Sequence, residues 1–532
     1  MRNSTHSVMS HDFSRAPQAN IPRSSFNRSH GHKTTFDSGY LIPVILDEAL
    51  PGDTLNLKMT ALARLATPLF PYMDNLFMDT FFFAVPYRLV WDNWQKFNGE
   101  QRNPADSTSY LVPTMTSTAG TGYLNGSLHD YMGIPTAVPG LVHSSLWHRA
   151  YNLIWNEWFR DENLQNSVVV DVDDGPDVPT DYVLLRRGKR HDYFTSCLPW
   201  PQKGPSVPLP LGTQAPVKGI GLLNHLASAN YVGVRETGGT TANYPFGING
   251  NSGFVAVSST LNASGFPQIY ADLTQATGST INALRQSFQI QKLYERDARG
   301  GTRYIEIIKS HFGVTSPDGR LPRPEYLGGG STPINVHPVP QTSATVSGQS
   351  PQANLAAFAT AAVHNHGFVK SFTEHCLIIG LVSVRADLNY QQGLNRMFSR
   401  QIRWDFYWPA LSHIGEQAVL NKEIYAVGTP NPTQDAAVFG YQERYAEYRY
   451  KPSLITGQFR SNFSTPLDAW HLAQNFASLP VLGDTFIQEN PPVDRIKALA
   501  GTYPDFIFDS YFHYKCVRPM PMYSVPGLID HF

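Results

Sequence analysis

The sequence predicts a fold dominated by β strands, a β sandwich expanded by long insertion loops that contain short helices. Charged residues make up only 16% of the 532 residues and aromatic residues 12%, and the chain contains 41 glycines and 40 prolines. Helical bundles avoid proline and need many Ala, Leu, Glu and Lys residues. Segments typical of strands lie in the first and last thirds of the chain, whereas the middle is irregular. This distribution is typical of a sandwich with expanded loops.

The strands are predicted from periodicity and residue type. Leu55, Leu57, Met59 and Ala61 alternate with polar residues, which indicates a strand with one buried face. Runs rich in aromatic and β-branched residues indicate further strands. These strands are predicted over 77–85, 372–387 and 505–518, with two more flanking an acidic turn in 167–185.

The helices are predicted from apolar residues at helical spacing, such as Leu146, Ala150, Leu153 and Ile154. The predicted helical segments are 89–97, 146–163, 284–299, 304–312 and a short one that begins near 464. Residues 328–362 are rich in Gly, Pro, Ser and Ala, so we expect a long surface connection there.

Composition divides the chain into four predicted segments: 1–36, 37–200, 201–284 and 285–532. The first is a basic, flexible N-terminal arm with five basic residues against one acid, and the second and fourth contain the sandwich core. The arm's basic residues, the candidates for contacting nucleic acid, are Arg2, Arg15, Arg23, Arg28 and Lys33.

Residues 201–284 are predicted to be a surface insertion made of short strands and loops. They contain 12 glycines and 22 Ser, Thr or Asn residues but only five charged residues. Regularly spaced aromatic residues distinguish the segment from a plain linker. The aromatic residues that we expect on this projection are Tyr231, Tyr244, Phe246, Phe254, Phe266 and Tyr270.

Net charge and cysteine usage exclude several classes of protein. The formal net charge is −1, so any contact with nucleic acid must be local. Cys197, Cys376 and Cys516 fit neither a disulfide framework nor a zinc pattern, and we expect reduced, mostly buried thiols. The N-terminus lacks an apolar signal segment and the apolar runs are too short to span a membrane, which predicts a soluble protein.

Catalytic motifs are absent from the sequence. No phosphate-binding loop, dinucleotide loop, zinc-protease motif or serine-nucleophile motif is complete. Paired carboxylates for glycoside hydrolysis remain an alternative, but no spacing singles out a pair. We therefore expect no catalytic residue and no cofactor.

Two groups of residues are candidate metal sites, and each has a simpler explanation. His364, His366 and His375 could ligate a metal ion, but ordinary hydrogen bonding explains them better. The acidic segment 171–177 fails the calcium-loop template, since glycine stands at its fifth position, and is interpreted as a solvated turn. The prediction is that no metal is bound.

The segment 439–452 contains the densest local pattern, in which Tyr, Arg and Glu residues alternate. Aromatic and Arg side chains can stack nucleotide bases, but the interleaved glutamates would repel phosphate. Tyr and Arg also anchor protein interfaces, so packing within or between subunits is the preferred interpretation. The residues predicted to take part are Tyr441, Arg444, Tyr445, Tyr448, Arg449 and Tyr450.

Long stretches of the chain resemble the major capsid proteins of gokushoviruses, a branch of the Microviridae. The resemblance is carried by residues 39–101 and by FGYQERYAEYRYKPS (439–453), YNLIWNEWFRDENLQ (151–165), GGTRYIEIIKSHFGVTSPDGRLPRPEYLGG (300–329) and GLVSVRADLNYQQGLNRMFSR (380–400). It covers most of the chain outside the insertion, and 201–284 is the part that is hardest to match.

This resemblance implies an eight-stranded jelly-roll β-barrel and a bacteriophage virion with an icosahedral T=1 capsid around circular single-stranded DNA. The implied partners are other copies of the chain, a small basic DNA-binding protein, a DNA pilot protein, a scaffolding protein and a host receptor. Assembly is expected in the cytoplasm of a bacterial host, without membrane insertion. The family has no catalytic residues to carry over. The main rival is a secreted β-rich protein that binds or hydrolyses carbohydrate.

Two locations follow from this interpretation. The arm 1–36 is expected inside the shell, where its basic residues screen DNA phosphates or where the arm only ties neighbouring subunits together. The insertion 201–284 is expected on the outer surface, where it helps to recognise the host. In the resembled family a comparable insertion clusters around the threefold axes, so its aromatic residues could instead serve only to hold a trimeric projection together.

Overall fold

The structure of the 532-residue chain is a computed structural model. It describes residues 22–205, 207, 217–218, 220–222, 231–232, 246–247, 254–258, 270–271, 281–301, 304–313, 323–348, 351–501 and 503–523. The chain forms two compact units, a larger one of residues 1–201 and 316–532 and a smaller one of residues 202–315. In the described residues, no helix is long and apolar enough to cross a membrane.

The described strands are numbered in chain order. Up to the smaller unit they are β1 (Ser24–Asn27), β2 (His30–Phe36), β3 (Ile42–Ala49), β4 (Thr54–Leu65), β5 (Leu76–Pro86), β6 (Thr114–Thr116) and β7 (Val142–Ser144). Within the smaller unit they are β8 (Val217–Lys218), β9 (Ile220–Leu222), β10 (Tyr231–Val232), β11 (Phe246–Gly247), β12 (Phe254–Ser258) and β13 (Tyr270–Ala271). The later strands are β14 (Glu325–Pro333), β15 (Asn335–Pro340), β16 (Leu355–Ser371), β17 (Cys376–Ala386), β18 (Asn389–Tyr390), β19 (Glu416–Leu420), β20 (Val438–Glu443), β21 (Ser453–Leu454) and β22 (Phe506–Arg518).

The described α-helices are short except in the smaller unit. They are α1 (Trp94–Phe97), α2 (Leu128–Tyr131), α3 (Leu146–Ile154), α4 (Ile281–Arg299), α5 (Tyr304–Phe312), α6 (Asn421–Ile424), α7 (Pro432–Ala436) and α8 (Asp484–Ile487). A π-helical turn over Trp155–Phe159 extends α3, and several single 3₁₀ turns lie in the loops. The prediction of a strand-rich chain with few helices is confirmed.

Two large antiparallel sheets dominate the described part of the larger unit, which also contains several two-stranded pairs. In the first sheet the strands follow the order β2, β22, β4, β16, β15, and β1 also pairs with β22. In the second sheet the order is β14, β5, β17, β3. The neighbours in each sheet come from distant parts of the chain, so long connections must run between the strands.

The inner faces of the two sheets form the main core. In β4 the residues Leu55, Leu57 and Met59 point inward and are buried, while the polar residues between them are exposed. They belong to one cluster with Phe82 of β5 and Ile378 of β17. The alternation predicted for the strand after residue 53 is therefore confirmed, and β22 shows the same alternation of buried and exposed residues.

The outer face of the second sheet is covered by the residues that follow β5. Phe83, Leu377 and Ile379 point outward and pack in a second cluster with Trp91 and Tyr151. Because both faces of β17 are buried, all eleven of its residues are buried, and residues 376–382 form an apolar run instead of an alternating pattern.

The structure corrects the expectation of a surface connection over 328–362. Most of this segment belongs to β14, β15 and β16, and β16 is a central partner of β4. The inward positions of β16 are filled by the buried residues Ala357, Ala359 and Ala361, which are small enough for close packing between the sheets. A loop was predicted because alanine carries no strand signal, although its alternation with other residues was visible.

Residues 167–185, predicted as two strands with a solvated acidic turn, form an irregular loop with a one-turn helix at Pro179–Asp181. The acidic residues have a structural task here. Asp177 is buried and accepts a hydrogen bond from Arg149 Nε at 2.7 Å, and both side chains are fully inaccessible. Although burial opposes ionisation, the Arg149 hydrogen bond lowers the pKa of Asp177. The segment therefore supplies the counter-ion of a buried arginine.

In the smaller unit, short strands form a sheet in which β12 pairs with β9, β10 and β11. A separate pair is formed by β8 and β13. Helices over 284–299 and 304–312 were predicted, and the structure has them as α4 and α5. Near residue 464 the predicted short helix is only a single 3₁₀ turn at Asp468–Trp470.

Candidate assembly surface

A long irregular segment between β18 and β19 presents many apolar side chains to solvent. Single 3₁₀ turns at Arg396–Phe398, Arg403–Asp405 and Pro409–Leu411 fold it. The Asp405 carboxylate accepts hydrogen bonds from the backbone N–H groups of Gln401 at 2.8 Å and Ile402 at 3.0 Å. The same bonds hold the pKa of Asp405 below its usual range. The turn that carries the aromatic residues is thus fixed by a charged cap.

Four aromatic residues within positions 404–408 are about half-exposed. Trp404 is 52% exposed, Phe406 51%, Tyr407 50% and Trp408 39%. Aromatic side chains are normally the first to be buried, because each can remove ~150–250 Å² from water. Further exposed apolar residues of the same segment are Leu394, Met397, Phe398, Ile402 and Ile414.

Arginine side chains lie between the aromatic rings. The Arg403 guanidinium carbon is 4.4 Å from the Trp408 ring centre and 5.2 Å from that of Trp404. Arg400 lies 4.3 Å from the ring centre of Tyr448, a residue of the predicted Tyr/Arg/Glu block. Such contacts hold a planar cation against a π face. The arginines therefore fix the orientation of the rings instead of pointing freely into solvent.

Ring contacts join the block 439–452 to this segment. Tyr407 lies 5.2 Å from Tyr445 and 6.1 Å from Tyr448, measured between ring centres, and the Tyr448 hydroxyl accepts from the Tyr407 backbone N–H at 3.3 Å. Arg444 donates to the carbonyl oxygen of Trp404 at 2.9 Å. We call this contiguous set the aromatic–arginine surface; it consists of Arg400, Arg403, Trp404, Phe406, Tyr407, Trp408, Arg444, Tyr445 and Tyr448.

The predicted interface residues divide into anchors and exposed groups. Tyr445 is buried and has a left-handed backbone with φ of 63°, which turns the chain after β20. Tyr441 exchanges two backbone hydrogen bonds of 2.8 Å with Leu198, so it belongs to the framework. Tyr448 is 51% exposed and Tyr450 40%. The structure thus brings Arg444, Tyr445 and Tyr448 into one surface, while Arg449 forms an ion pair with Glu443.

Buried carboxylates support the surface from below. Arg396 donates to Glu423 at 3.0 Å, and Arg400 approaches Glu447 at 3.6 Å. Burial raises the pKa of Glu423, while the charge of Arg396 opposes that shift. Glu423 also accepts a hydrogen bond of 2.8 Å from the Tyr193 hydroxyl. These hydrogen bonds and ion pairs connect the exposed segment to the β19–β20 hairpin and its flanking turns. They therefore restrict the movement of the aromatic side chains.

The candidate nucleic-acid residues of the arm are only partly described. Arg2 and Arg15 lie outside the described residues. Arg28 pairs with Asp47, and Lys33 lies 3.3 Å from Asp509, so two of the predicted cations are matched by acids. Arg23 is exposed and donates to the Thr54 hydroxyl at 3.4 Å.

The structure also differs from the expected flexible arm over its second part, because β1 and β2 pair with β22. His30 stacks on Phe512 with 5.3 Å between ring centres, and Phe36 enters the main core. Sequence periodicity missed these strands because Ser, Thr, His and Gly dominate them.

The candidate residues of the projection are described only as backbone. Tyr231, Phe246, Phe254 and Tyr270 each begin one of the short strands β10, β11, β12 and β13. Tyr244 and Phe266 lie outside the described residues. Their assignment to a surface projection stays a prediction.

The histidines and thiols weighed for metal binding have other neighbours. His366 contacts the Thr80 hydroxyl at 2.9 Å, and His375 packs edge-on against Trp94. In the ranges covered by the structure, no group of three His, Cys, Asp or Glu residues is placed to hold a metal ion. All three cysteines are buried free thiols, as predicted.

The aromatic–arginine surface was only half found from the sequence. The Tyr/Arg/Glu block was singled out, but the segment RWDFYW (403–408) was passed over. Four aromatic residues within six, without the spacing of a strand or helix, were the available signal. An irregular aromatic run has no regular element to bury it, so exposure could have been expected.

Comparison with known proteins decides the family. The capsid protein (F protein) family model matches residues 14–528. The chain belongs to this family. The matched range includes both sheets of the larger unit and the aromatic–arginine surface.

Individual relatives match over nearly their whole length. The chain is 50% identical to capsid protein VP1 of Bdellovibrio phage phiMH2K over 529 residues, which cover 98% of each chain. It is 47% identical to capsid protein VP1 of Chlamydia phage 1, again covering 98% of each chain. It is 39% identical to capsid protein VP1 of Spiroplasma virus 4, covering 97% of each. The resemblance to gokushovirus capsid proteins is therefore confirmed, and the family is one of structural capsid proteins, not of enzymes.

Proposed function

We propose that this chain is the major capsid protein of a small icosahedral virion and that its copies associate through the aromatic–arginine surface. The observation that carries the proposal is the contiguous set of half-exposed rings held by arginines, in a chain that belongs to a capsid family. Aromatic residues and Arg are the side chains that dominate the binding energy of protein interfaces.

The size of the surface fits a subunit contact. Its five exposed aromatic side chains, each about half accessible, offer roughly 500 Å² of mainly apolar area. The flanking side chains of Met397, Phe398 and Ile402 are more than half exposed and enlarge this area. A stable interface buries about 800 Å² on each partner, whereas the largest apolar patch of a typical monomer reaches only ~300–600 Å². A free subunit would therefore leave an unusually large apolar area in water.

The connection order of the sheets supports a jelly-roll barrel. Eight strands are divided between the two sheets, and successive strands change sheet except β5 and β14, which are neighbours in the second sheet. In chain order these strands are β2, β3, β4, β5, β14, β16, β17 and β22. The first sheet contains the first, eighth, third and sixth of these strands in spatial order, and the second contains the second, seventh, fourth and fifth. This order is that of two interlocked Greek keys, the arrangement found in the jelly rolls of many viral capsids. The long connections after β5 and β17 are then loops of the barrel.

The remaining parts of the proposal concern the content and surroundings of the shell. The shell encloses single-stranded DNA together with a small basic protein, and assembly uses a pilot and a scaffolding protein in the host cytoplasm. The N-terminal arm lies inside, and residues 201–284 form an outer projection that helps attachment to the host. The motive for the projection is its low charge and regularly spaced aromatic residues, since loop closure cost grows slowly with length.

Assembly is tested with the double variant Trp404→Ala/Tyr448→Ala. Each substitution removes a central aromatic group, which costs about 2 kcal/mol or more at an interface hot spot. We expect folded subunits, judged by circular dichroism, whose threshold concentration for shell formation rises at least tenfold. Sedimentation velocity and electron microscopy measure that threshold.

The matched control is Tyr511→Ala, which removes an aromatic side chain that is 46% exposed but lies on the first sheet. Shells should form normally from this variant. Normal shells from the double variant would remove the assembly role of the surface. A wild-type chain that stays monomeric and binds or cleaves a polysaccharide would contradict the capsid function and favour the carbohydrate-active alternative.

A further inference from the structure

The outer face of the first sheet is open across its strands. In β22 the buried residues alternate with exposed ones, and the exposed set includes Tyr511, His513 and Lys515. The same alternation exposes every second residue of β4. Within the described residues, the outward positions of β2, β4, β16 and β22 that carry charged or aromatic groups are occupied by Lys33, Lys58, Arg64, Phe358, His364, Asp509, Tyr511, His513 and Lys515.

This face is basic although the whole chain is not. Four of the residues are Lys or Arg, and Asp509 is the one acid among the outward positions just named. Of these charges, only Lys33 and Asp509 pair with each other, at 3.3 Å. Lys58 lies opposite His513, Lys515 opposite Asn56 and Arg64 opposite Ile507. Three exposed cations on neighbouring strands therefore stand next to neutral residues.

Aromatic groups lie among these cations. Tyr511 is 46% exposed and contacts His513 edge-on, with 4.9 Å between ring centres. Phe358 is 39% exposed and stacks on His337 of β15 at 4.9 Å. Single-stranded nucleic acid is commonly bound by a sheet surface whose aromatic side chains stack bases while nearby cations contact phosphates.

We propose that single-stranded nucleic acid lies across the open face of the first sheet. This inference rests on the proposed capsid function, because it assigns that face to the interior of the shell. Tyr511 and Phe358 stack on bases, and Lys58, Arg64 and Lys515 contact phosphates. The contacts read no sequence, since phosphates and ring faces are common to all nucleotides.

The charge of the face selects this occupant. A basic protein would be repelled by Lys58, Arg64 and Lys515. A second copy packed through the same face would leave these three cations buried without acids, at a cost of several kcal/mol for each unpaired charge. An acidic protein segment would satisfy the cations but offers no regular series of flat rings for Tyr511 and Phe358. Nucleic acid supplies both phosphates and bases.

The test measures binding of the full-length subunit to a fluorescent oligothymidine as salt is varied. In the variant Lys58→Gln/Arg64→Gln/Lys515→Gln, three phosphate contacts are lost, so the slope of log affinity against log salt should fall by about 2. Affinity at about 0.1 M salt should fall at least tenfold. Tyr511→Leu should weaken binding about tenfold with no change of slope, and Tyr511→Phe should bind like the wild type because stacking is kept.

The matched control is Lys96→Gln/Arg102→Gln/Arg190→Gln, which removes three exposed cations away from the face. Its slope and affinity should stay within about twofold of the wild type. An unchanged slope in the first triple variant, or an equal loss in the control, would overturn the inference. So would particles of the first triple variant that hold the wild-type amount of DNA per shell.

The shells themselves separate this inference from the proposed function. The first triple variant should still form shells, with less nucleic acid inside, as measured by absorbance ratio and gradient density. If it binds oligothymidine normally but no longer assembles, the face is a protein contact and the inference is wrong. If the wild type forms no shells at all, the capsid proposal fails even where oligothymidine binding follows the predicted pattern.

Discussion

The outer faces of the two sheets in the larger unit differ in what lies on them. The second sheet is covered by the segment after β5, and both faces of β17 are buried, so residues 376–382 of this strand are apolar without alternation. The outer face of the first sheet is exposed, and β22 alternates between buried and exposed residues. A strand with one exposed face alternates between apolar and polar residues, whereas a strand with both faces covered does not. The first sheet therefore has a face that a partner can contact, whereas the second sheet does not.

Substitutions that break ion pairs should show the largest difference in folding stability between the covered second sheet and the open first sheet. On the covered side, Arg149→Met leaves Asp177 as a buried charge without its partner. Removing one member of such a pair costs about 4 kcal/mol. We expect a much lower urea midpoint for the soluble subunit, measured by tryptophan fluorescence.

The control for this prediction is the double variant Arg149→Met/Asp177→Asn, which removes both charges. It should recover a large part of the lost stability, because no uncompensated charge remains. If Arg149→Met were as stable as the wild type, the loop 167–185 would not depend on this pair.

The next effect concerns apolar residues at equivalent outward positions. Leu377→Ala on the second sheet opens a cavity under the covering segment and should cost about 3 kcal/mol, since Leu377 is fully buried. Ile507→Ala on the first sheet should change the stability by less than about 0.5 kcal/mol, since Ile507 is 61% exposed. Equal losses from urea denaturation would mean that the first sheet is covered in the free subunit.

The same contrast explains how much of the fold could be predicted from the sequence. β4 and β22 alternate clearly and β5 is rich in aromatic residues, so all three were found. β16 was missed because its inward residues are alanines, which fill a narrow space but carry no strand signal. The local pattern of 167–185 predicts a hairpin, because it cannot show that Asp177 is the counter-ion of Arg149, which lies 28 residues earlier.

Prediction of the site had a similar limit. The Tyr/Arg/Glu block was found as a candidate interface, yet the segment 403–408 that completes the surface was not. The contact between Tyr407 and Tyr448 joins parts of the chain 41 residues apart, and such a contact depends on the β19–β20 hairpin. Residue type indicated the chemistry of the surface, whereas its extent depended on the tertiary fold.

An intermediate effect on folding stability is expected from the buried histidines in the segment that follows β5. His129 contacts His148 at 2.9 Å, and burial, with a contribution from His143, lowers the pKa of His129 to about 4. The unfolded chain has a histidine pKa of ~6.5, so it binds more protons than the folded chain at pH 4 to 6.5. Stability should therefore fall as the pH is lowered through this window.

The variant His129→Gln tests this dependence. It should reduce the loss of stability between pH 6.5 and pH 4 by about 2 kcal/mol, measured as the free energy of unfolding from urea denaturation at the two values. His513→Gln, an exposed substitution on the first sheet, should leave that difference unchanged. An identical pH dependence in His129→Gln and the wild type would contradict the prediction.

The smallest effect on stability, but one of use for the open face, is expected from Asp509→Asn. Its carboxylate and Lys33 are both well exposed, at 55% and 79%, and their 3.3 Å pair should contribute less than about 0.5 kcal/mol. The urea midpoint should hardly move.

The substitution removes the one acid among the outward charges of the face and frees Lys33, so oligothymidine binding should tighten about threefold and its salt slope should rise by about 0.7. Glu100→Gln, which also removes an exposed acid but lies in the loop after α1, should change neither quantity. Weaker or unchanged binding by Asp509→Asn would mean that phosphates do not approach β2 and β22, and would confine any nucleic acid to the β4 side of the face.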